Sequence, residues 1–335
     1  MRKFCTLLLL TAVLLTFIPS CSVKAPYTEG SGELKIVASS FVPFDLARSI
    51  AGENATVTVL QTDGSDLHGY VPTVSALKTL AEADIFICIG GVSDQTWIND
   101  AIKASNNKDL AVIRLTDLIN GELAELEGHI HSSFCKENHT HTHGDGHDHS
   151  HTADDGHSHV ADEHVWTSLK NTVIAVEKIA QTCIELDSRN AEAYGLAAAD
   201  YVKSLTELDK KYTELFEKSS SKTLIFADRF PFIYLVKDYG ACYFAAFSGC
   251  GGELDASFET AVRLTNAVKE SSAPCVIVTE SSDKKLANSI SDATGCKTVT
   301  LHSMQSVALS HIRSGQTYLG TMEENLQALK MALGE

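Results

Sequence analysis

The sequence has no C-x-x-C pair among its nine cysteines, so the usual ligand pattern of a cysteine-based zinc site is missing. It has no H-E-x-x-H and no G-x-S-x-G either. Those are signatures of zinc proteases and of serine hydrolases, and no enzymatic activity is expected. Positive charge is scarce: 27 Lys and Arg stand against 43 Asp and Glu, a formal net charge of −16. That balance argues against nucleic acid as a partner and suits a chain that attracts cations. Beyond residue 18 no apolar run approaches the roughly 20 residues that a membrane-spanning helix needs.

One residue type is in excess. Residues 129–166 read HIHSSFCKENHTHTHGDGHDHSHTADDGHSHVADEHVW, and residues 129–164 hold eleven of the fourteen histidines. Imidazoles at His-x-His spacing, interleaved with Asp and Gly, suit borderline transition metals. The run has too few apolar residues to offset the entropy of ordering. It is expected to be a flexible insertion spanning 127–160, with His139, His141, His143, His147, His149, His151, His157 and His159 as accessory metal contacts. Its composition does not say whether metal is sensed, stored, carried or used in catalysis.

Met1-Arg2-Lys3 followed by the apolar stretch Phe4 to Ile18 reads as a secretory signal. Ile18-Pro19-Ser20-Cys21 then resembles a bacterial lipobox, in which Cys21 becomes the lipidated first residue. The expectation is a signal over 1–20, a polar tether over 21–32, and a chain lipid-anchored at the membrane on its extracytoplasmic face. About 300 residues remain, enough for two cored domains. Seven cysteines remain besides Cys5 and Cys21, and an odd count leaves at least one free thiol. Most lie in apolar runs, where a buried free thiol is the ordinary meaning; Cys242 and Cys250 could pair, but free thiols are the expectation there too.

Strand-like and helix-like stretches alternate. Glu33–Ala38, Ala55–Leu60, Ile85–Ile89 and Leu110–Leu115 read as strands, with helices over Pro43–Ala51 and Thr73–Ala83. After the histidine run, Leu169–Leu186 reads as one helix and Asn190–Ser219 as a second. The second carries an apolar stripe of Tyr194, Ala197, Tyr201, Leu205, Leu208, Tyr212 and Leu215. At 1.5 Å per residue it would be about 45 Å long, more than a βαβ crossover needs. The pattern then restarts, with strands Thr223–Phe226, Cys242–Phe247, Cys275–Thr279 and Lys297–Leu301 and helices Pro231–Tyr239, Ala256–Ser271, Asp283–Thr294 and Thr317–Leu333. The expected fold class is α/β: two similar lobes with mostly parallel sheets flanked by helices, over 33–188 and 220–335, joined by a long helix over 189–219.

Outside the histidine run, position singles out a few side chains. His68 lies in the turn after Ala55–Leu60, His302 directly after Lys297–Leu301, and Asp228 directly after Thr223–Phe226. In open α/β sheets, ligands bind beyond the carboxyl ends of strands. His164 opens the helix that follows the histidine run. Taken singly, a loop histidine is more often a surface residue, and an acid after a strand is often a helix cap; His311 reads as surface.

These stretches resemble the cluster A-I metal-binding lipoproteins of bacterial ABC importers, the zinc and manganese solute-binding proteins. The resemblance rests on KIVASSFVPFDLARSIAG, DLHGYVPT, ALKTLAEADIFICIGG, DEHVWTSLKN, FADRFPFIYLVKDYG, VIVTESSDKKLANSISDATGCK and YLGTMEENLQALKMAL. It covers residues 33–335 in order. It implies one metal ion in the cleft between the lobes, and a monomer that hands the ion to a membrane permease. The family's first ligand is the His of D-P-H-x-Y/F-E-P, here His68, with Leu67 in place of Pro. Its second is the His of D-P-H-V/A-W, here His164. The third slot falls on Ala227, which cannot bind metal, with Asp228 beside it; the fourth falls on His302. The resemblance thus implies a site of His68, His164 and His302 with Asp228 or water, and Glu280 just outside it. Three imidazoles favour Zn²⁺ over Mn²⁺, which prefers oxygen ligands. A manganese or mixed-metal binder, or a metal-binding adhesin, is the alternative.

Overall fold

The computed structural model describes residues 26–119, 161–247 and 256–335. Cys21, Cys250 and the histidines from His129 to His159 lie outside them, as do the signal segment and the lipobox.

The first half forms a five-stranded sheet in the order β1-β3-β2-β4-β5. Its strands are β1 (Tyr27–Glu29), β2 (Leu34–Ala38), β3 (Ala55–Val59), β4 (Ile85–Cys88) and β5 (Ala111–Arg114). The second half forms a sheet in the order β7-β6-β8-β9, from β6 (Thr223–Phe226), β7 (Cys242–Ala245), β8 (Cys275–Val278) and β9 (Lys297–Thr300). All neighbours are parallel except β1, which runs antiparallel to β3. Setting β1 aside, the order is the same in both sheets: second, first, third, fourth. The order therefore reverses between β2 and β4, and again between β6 and β8. Such points open a crevice at the carboxyl ends of strands.

The helices of the first half are α1 (Phe41–Ala51), α2 (Val74–Ala81), α3 (Val92–Ser105) and α4 (Leu169–Leu186). The long helix α5 (Ala191–Lys218) follows, and then α6 (Ile233–Tyr239), α7 (Phe258–Ser271), α8 (Lys285–Thr294), α9 (Leu309–Arg313) and α10 (Tyr318–Leu333). Helix α5 packs on α1 and α4 of the first half and on α6 and α10 of the second. Its buried stripe is Tyr194, Ala198, Leu205, Leu208, Tyr212, Leu215 and Phe216. Ala198 is buried in place of the expected Ala197, because it lies one four-residue step from Tyr194 on the same helix face. One apolar cluster joins the inner faces of both sheets through α1, α4, α5 and α10. Across it, the fully buried Asp45 carboxylate accepts the Tyr318 N–H at 2.7 Å and pairs with Arg48 at 2.8 Å.

Three expectations change. Part of the segment expected as tether is β1, held to β3 with Tyr27 against Phe44. Helix α3 went unnoticed because its core contacts are few: Trp97, Ile98 and Ala101 are buried, Ile102 packs beside them, and Val92 is exposed. Cys242 is disulfide-bonded, where free thiols were expected. The free thiols among the described residues are Cys88, Cys183, Cys275 and Cys296, so its partner lies outside the described residues.

Candidate metal centre

His68 sits on a tight turn, Leu67–Gly69, beyond β3. Asp66 caps this turn, accepting the His68 N–H at 3.0 Å. Leu67 is buried and anchors the turn, while the His68 side chain keeps about a third of its surface exposed. The loop is also tied to the second half. Arg229, just after β6, donates to Asp66 Oδ2 at 3.1 Å, Leu309 N–H donates to the Thr62 carbonyl at 2.9 Å, and Asp63 bridges Ala308.

Asp162, Glu163, His164, Val165 and Trp166 are all buried, an unusual state for three ionisable side chains in a row. Asp162 Oδ1 holds His164 twice, accepting the backbone N–H at 2.8 Å and lying 2.9 Å from Nδ1. A carboxylate there selects the tautomer with the proton on Nδ1, which puts the ligand lone pair on Nε2. Trp166 lies edge-to-face with the His164 ring at 5.2 Å, and its indole N–H donates to the Ser303 carbonyl at 2.9 Å. Tyr234 O–H donates to the Asp162 carbonyl at 2.7 Å. Thus the second half braces the His164 segment as well.

The two loops meet. The His68 and His164 ring centroids are 6.3 Å apart. His68, Glu163 and His164 each offer a ligand atom, and these atoms lie within 4.8 Å of one another. Glu163 Oε2 accepts the Ser93 N–H at 2.8 Å from the first turn of α3, and Oε1 lies 3.5 Å from His68 Nε2. Gly91 permits this approach, since a Cβ there would run into the Glu163 side chain. Asp94, one residue past Ser93, caps the β4–α3 turn through the Ile89 and Gly90 N–H groups. Burial pushes its carboxyl up to about 7.

The remaining expected residues do not join the group. Asp228 turns its carboxylate into the second sheet, where Oδ2 accepts the Thr279 N–H at 2.9 Å and hydroxyl at 2.6 Å. The backbone of His302 is clamped by Asn325, which accepts its N–H at 2.7 Å and donates to its carbonyl at 2.9 Å. His302 is half-buried and contributes no atom to the group. Ala227 is sealed in an apolar cluster. Glu280 clasps Ser303, with Oε2 on its N–H at 2.7 Å and Oε1 on its hydroxyl at 2.8 Å, and so supports the carbonyl that Trp166 uses. His311 is exposed on α9. Glu163 was missed as a candidate; the signal was its occupancy of the Pro position in D-P-H-V/A-W. Asp162 was missed too, although Asp two residues before His occurs in both loops.

The profile of the family "ZnuA: Zinc-uptake complex component A periplasmic" matches residues 36–332. The chain belongs to this family. It is 28% identical over 323 residues to the zinc-binding lipoprotein AdcA of Streptococcus pneumoniae, covering 96% of this chain and 60% of that protein. It therefore spans about 60% of the length of the streptococcal relatives. It is 24% identical to the high-affinity zinc uptake system protein ZnuA of Bacillus subtilis, covering 93% of this chain and 91% of that one. Among solved structures, the Zn(II)-bound ZnuA-like domain of S. pneumoniae AdcA matches with a TM-score of 0.67 and 25% identity, over 91% of this chain and all of that domain. The fold of a metal-dependent lipoprotein of B. subtilis matches with a TM-score of 0.70.

Proposed function

We propose that this protein is the capture component of a zinc importer: it binds one Zn²⁺ between the His68 and His164 loops and delivers it to an ABC permease. The observation that carries this is the meeting of two imidazoles from separate loops, one beyond the carboxyl end of β3, beside a buried carboxylate. Neutral imidazole is a preferred zinc ligand, and two of them favour zinc over manganese. A lipid on Cys21 would hold the protein, as a monomer, at the outer face of the membrane. Relatives named as zinc-binding lipoproteins support that placement. The histidine run 129–160 would gather additional ions weakly.

Metal analysis of the purified protein, with Zn²⁺ and Mn²⁺ in competition at neutral pH, tests the reading. One tightly held Zn²⁺ that displaces Mn²⁺ is expected; preferential retention of Mn²⁺ would overturn the assignment. Deleting residues 129–160 should remove weak sites and leave the tight one, and loss of the tight site would refute the accessory role.

A further inference from the structure

We infer that Glu163 is itself a ligand of the transported ion, replacing the donor that the family's pattern loses at Ala227. The inference rests on the zinc-capture reading and concerns how that site is completed. Glu163 is only 3% exposed. One oxygen is fixed by the Ser93 N–H at the start of α3. The other, Oε1, accepts no hydrogen bond among the described residues, and it lies 3.5 Å from His68 Nε2, within the cluster that includes His164. Buried charges are paired or coordinate metal, because an uncompensated carboxylate in an apolar setting is costly. A side chain serving only to cap α3 would have no reason to keep its second oxygen beside two imidazoles. Around tetrahedral zinc, ligand atoms lie about 3.3 Å apart, so the group must tighten. His68, on its exposed turn, is the member with room to move. Two neutral imidazoles and one carboxylate leave a net charge of about +1 on Zn²⁺ and one position for a fourth donor.

The test is chelator-competition titration with ZnCl₂, comparing the protein with Glu163→Gln, together with Co²⁺ absorption spectra of both. Glutamine keeps the shape and can still accept from Ser93. The substitution should weaken Zn²⁺ binding by more than about 100-fold, beyond what loss of an outer-shell partner does, and alter the Co²⁺ d–d bands. If the parent binds one Zn²⁺ tightly and E163Q matches it in affinity and spectrum, Glu163 is not a ligand, while zinc capture stands. If the parent takes up no Zn²⁺, both fall. Should E163Q fail to fold, Glu163→Asp is read in its place: weakened binding supports the inference and unchanged binding overturns it.

Discussion

Asp162→Asn tests how His164, a ligand in the proposed site, is set. Asp162 is 1% exposed, and its Oδ1 meets both the backbone N–H and Nδ1 of His164 at 2.8 and 2.9 Å. An asparagine of the same shape can keep its carbonyl oxygen in that place, so the turn should survive. The charge does not survive. Hydrogen bonds to an ionised acceptor are about twice as strong as neutral ones, and the neutral amide polarises the imidazole less, making Nε2 a poorer donor to zinc. Loss of such a partner typically costs 10–100-fold in metal affinity, about 1.4–2.7 kcal/mol. The new NH₂ group would occupy the position of Oδ2, which is buried and has no hydrogen-bond partner, so metal-free stability should change little. The assay is Zn²⁺ affinity by chelator competition alongside Tm of the metal-free protein. A zinc affinity within about twofold of the parent, well short of that expected loss, would refute the argument that Asp162 tunes His164.

Three further outcomes follow from named contacts. Arg229→Ala removes the tie between the second half and the Asp66 cap of the His68 turn; as a partly exposed pair it should change stability by under about 1 kcal/mol, yet speed zinc dissociation about two- to fivefold, and an unchanged stopped-flow release rate would sink the idea. Gly91→Ala should weaken zinc binding without disfavouring the backbone, whose φ of −92° suits alanine, because the new methyl displaces Glu163; equal affinity would contradict this. Hydrogen bonds from Asn190 and Tyr194 hold the Asp187 carboxyl below its ordinary value, with Arg189 adding to the effect. A lowered folded value means the contribution is present above pH ~4 and lost as pH falls through the folded value. Asp187→Asn should therefore lower Tm at neutral pH and flatten the loss of stability in acid; parallel Tm–pH curves would argue otherwise.

Much of the architecture was legible because its period is local. Helix α4 runs over Leu169–Leu186 as its apolar spacing indicates, and most other elements lie within two residues of their expected ends. The elements that escaped notice have weak local signals: β1 is three residues long and is defined by pairing with β3, and α3 buries few apolar side chains. The motif positions pointed to His68 and His164. They also pointed to Asp228 and His302 by strand-end position, which says where a backbone emerges and not where a side chain is spent. Asp228 is spent on Thr279.

The sequence by itself indicated the fold class through its periodicity and the family through the resemblance of its motifs, and that resemblance pointed to His68 and His164, since each of these signals lies along one stretch of chain. Only the tertiary structure decided the company those histidines keep. Glu163 lies at the site because α3 offers it the Ser93 N–H and Gly91 leaves room for its side chain, and His68 faces His164 because separate loops are braced by the second half through Arg229, Ser303 and Tyr234. Those are contacts between residues far apart in the chain, and no periodicity or local motif encodes them.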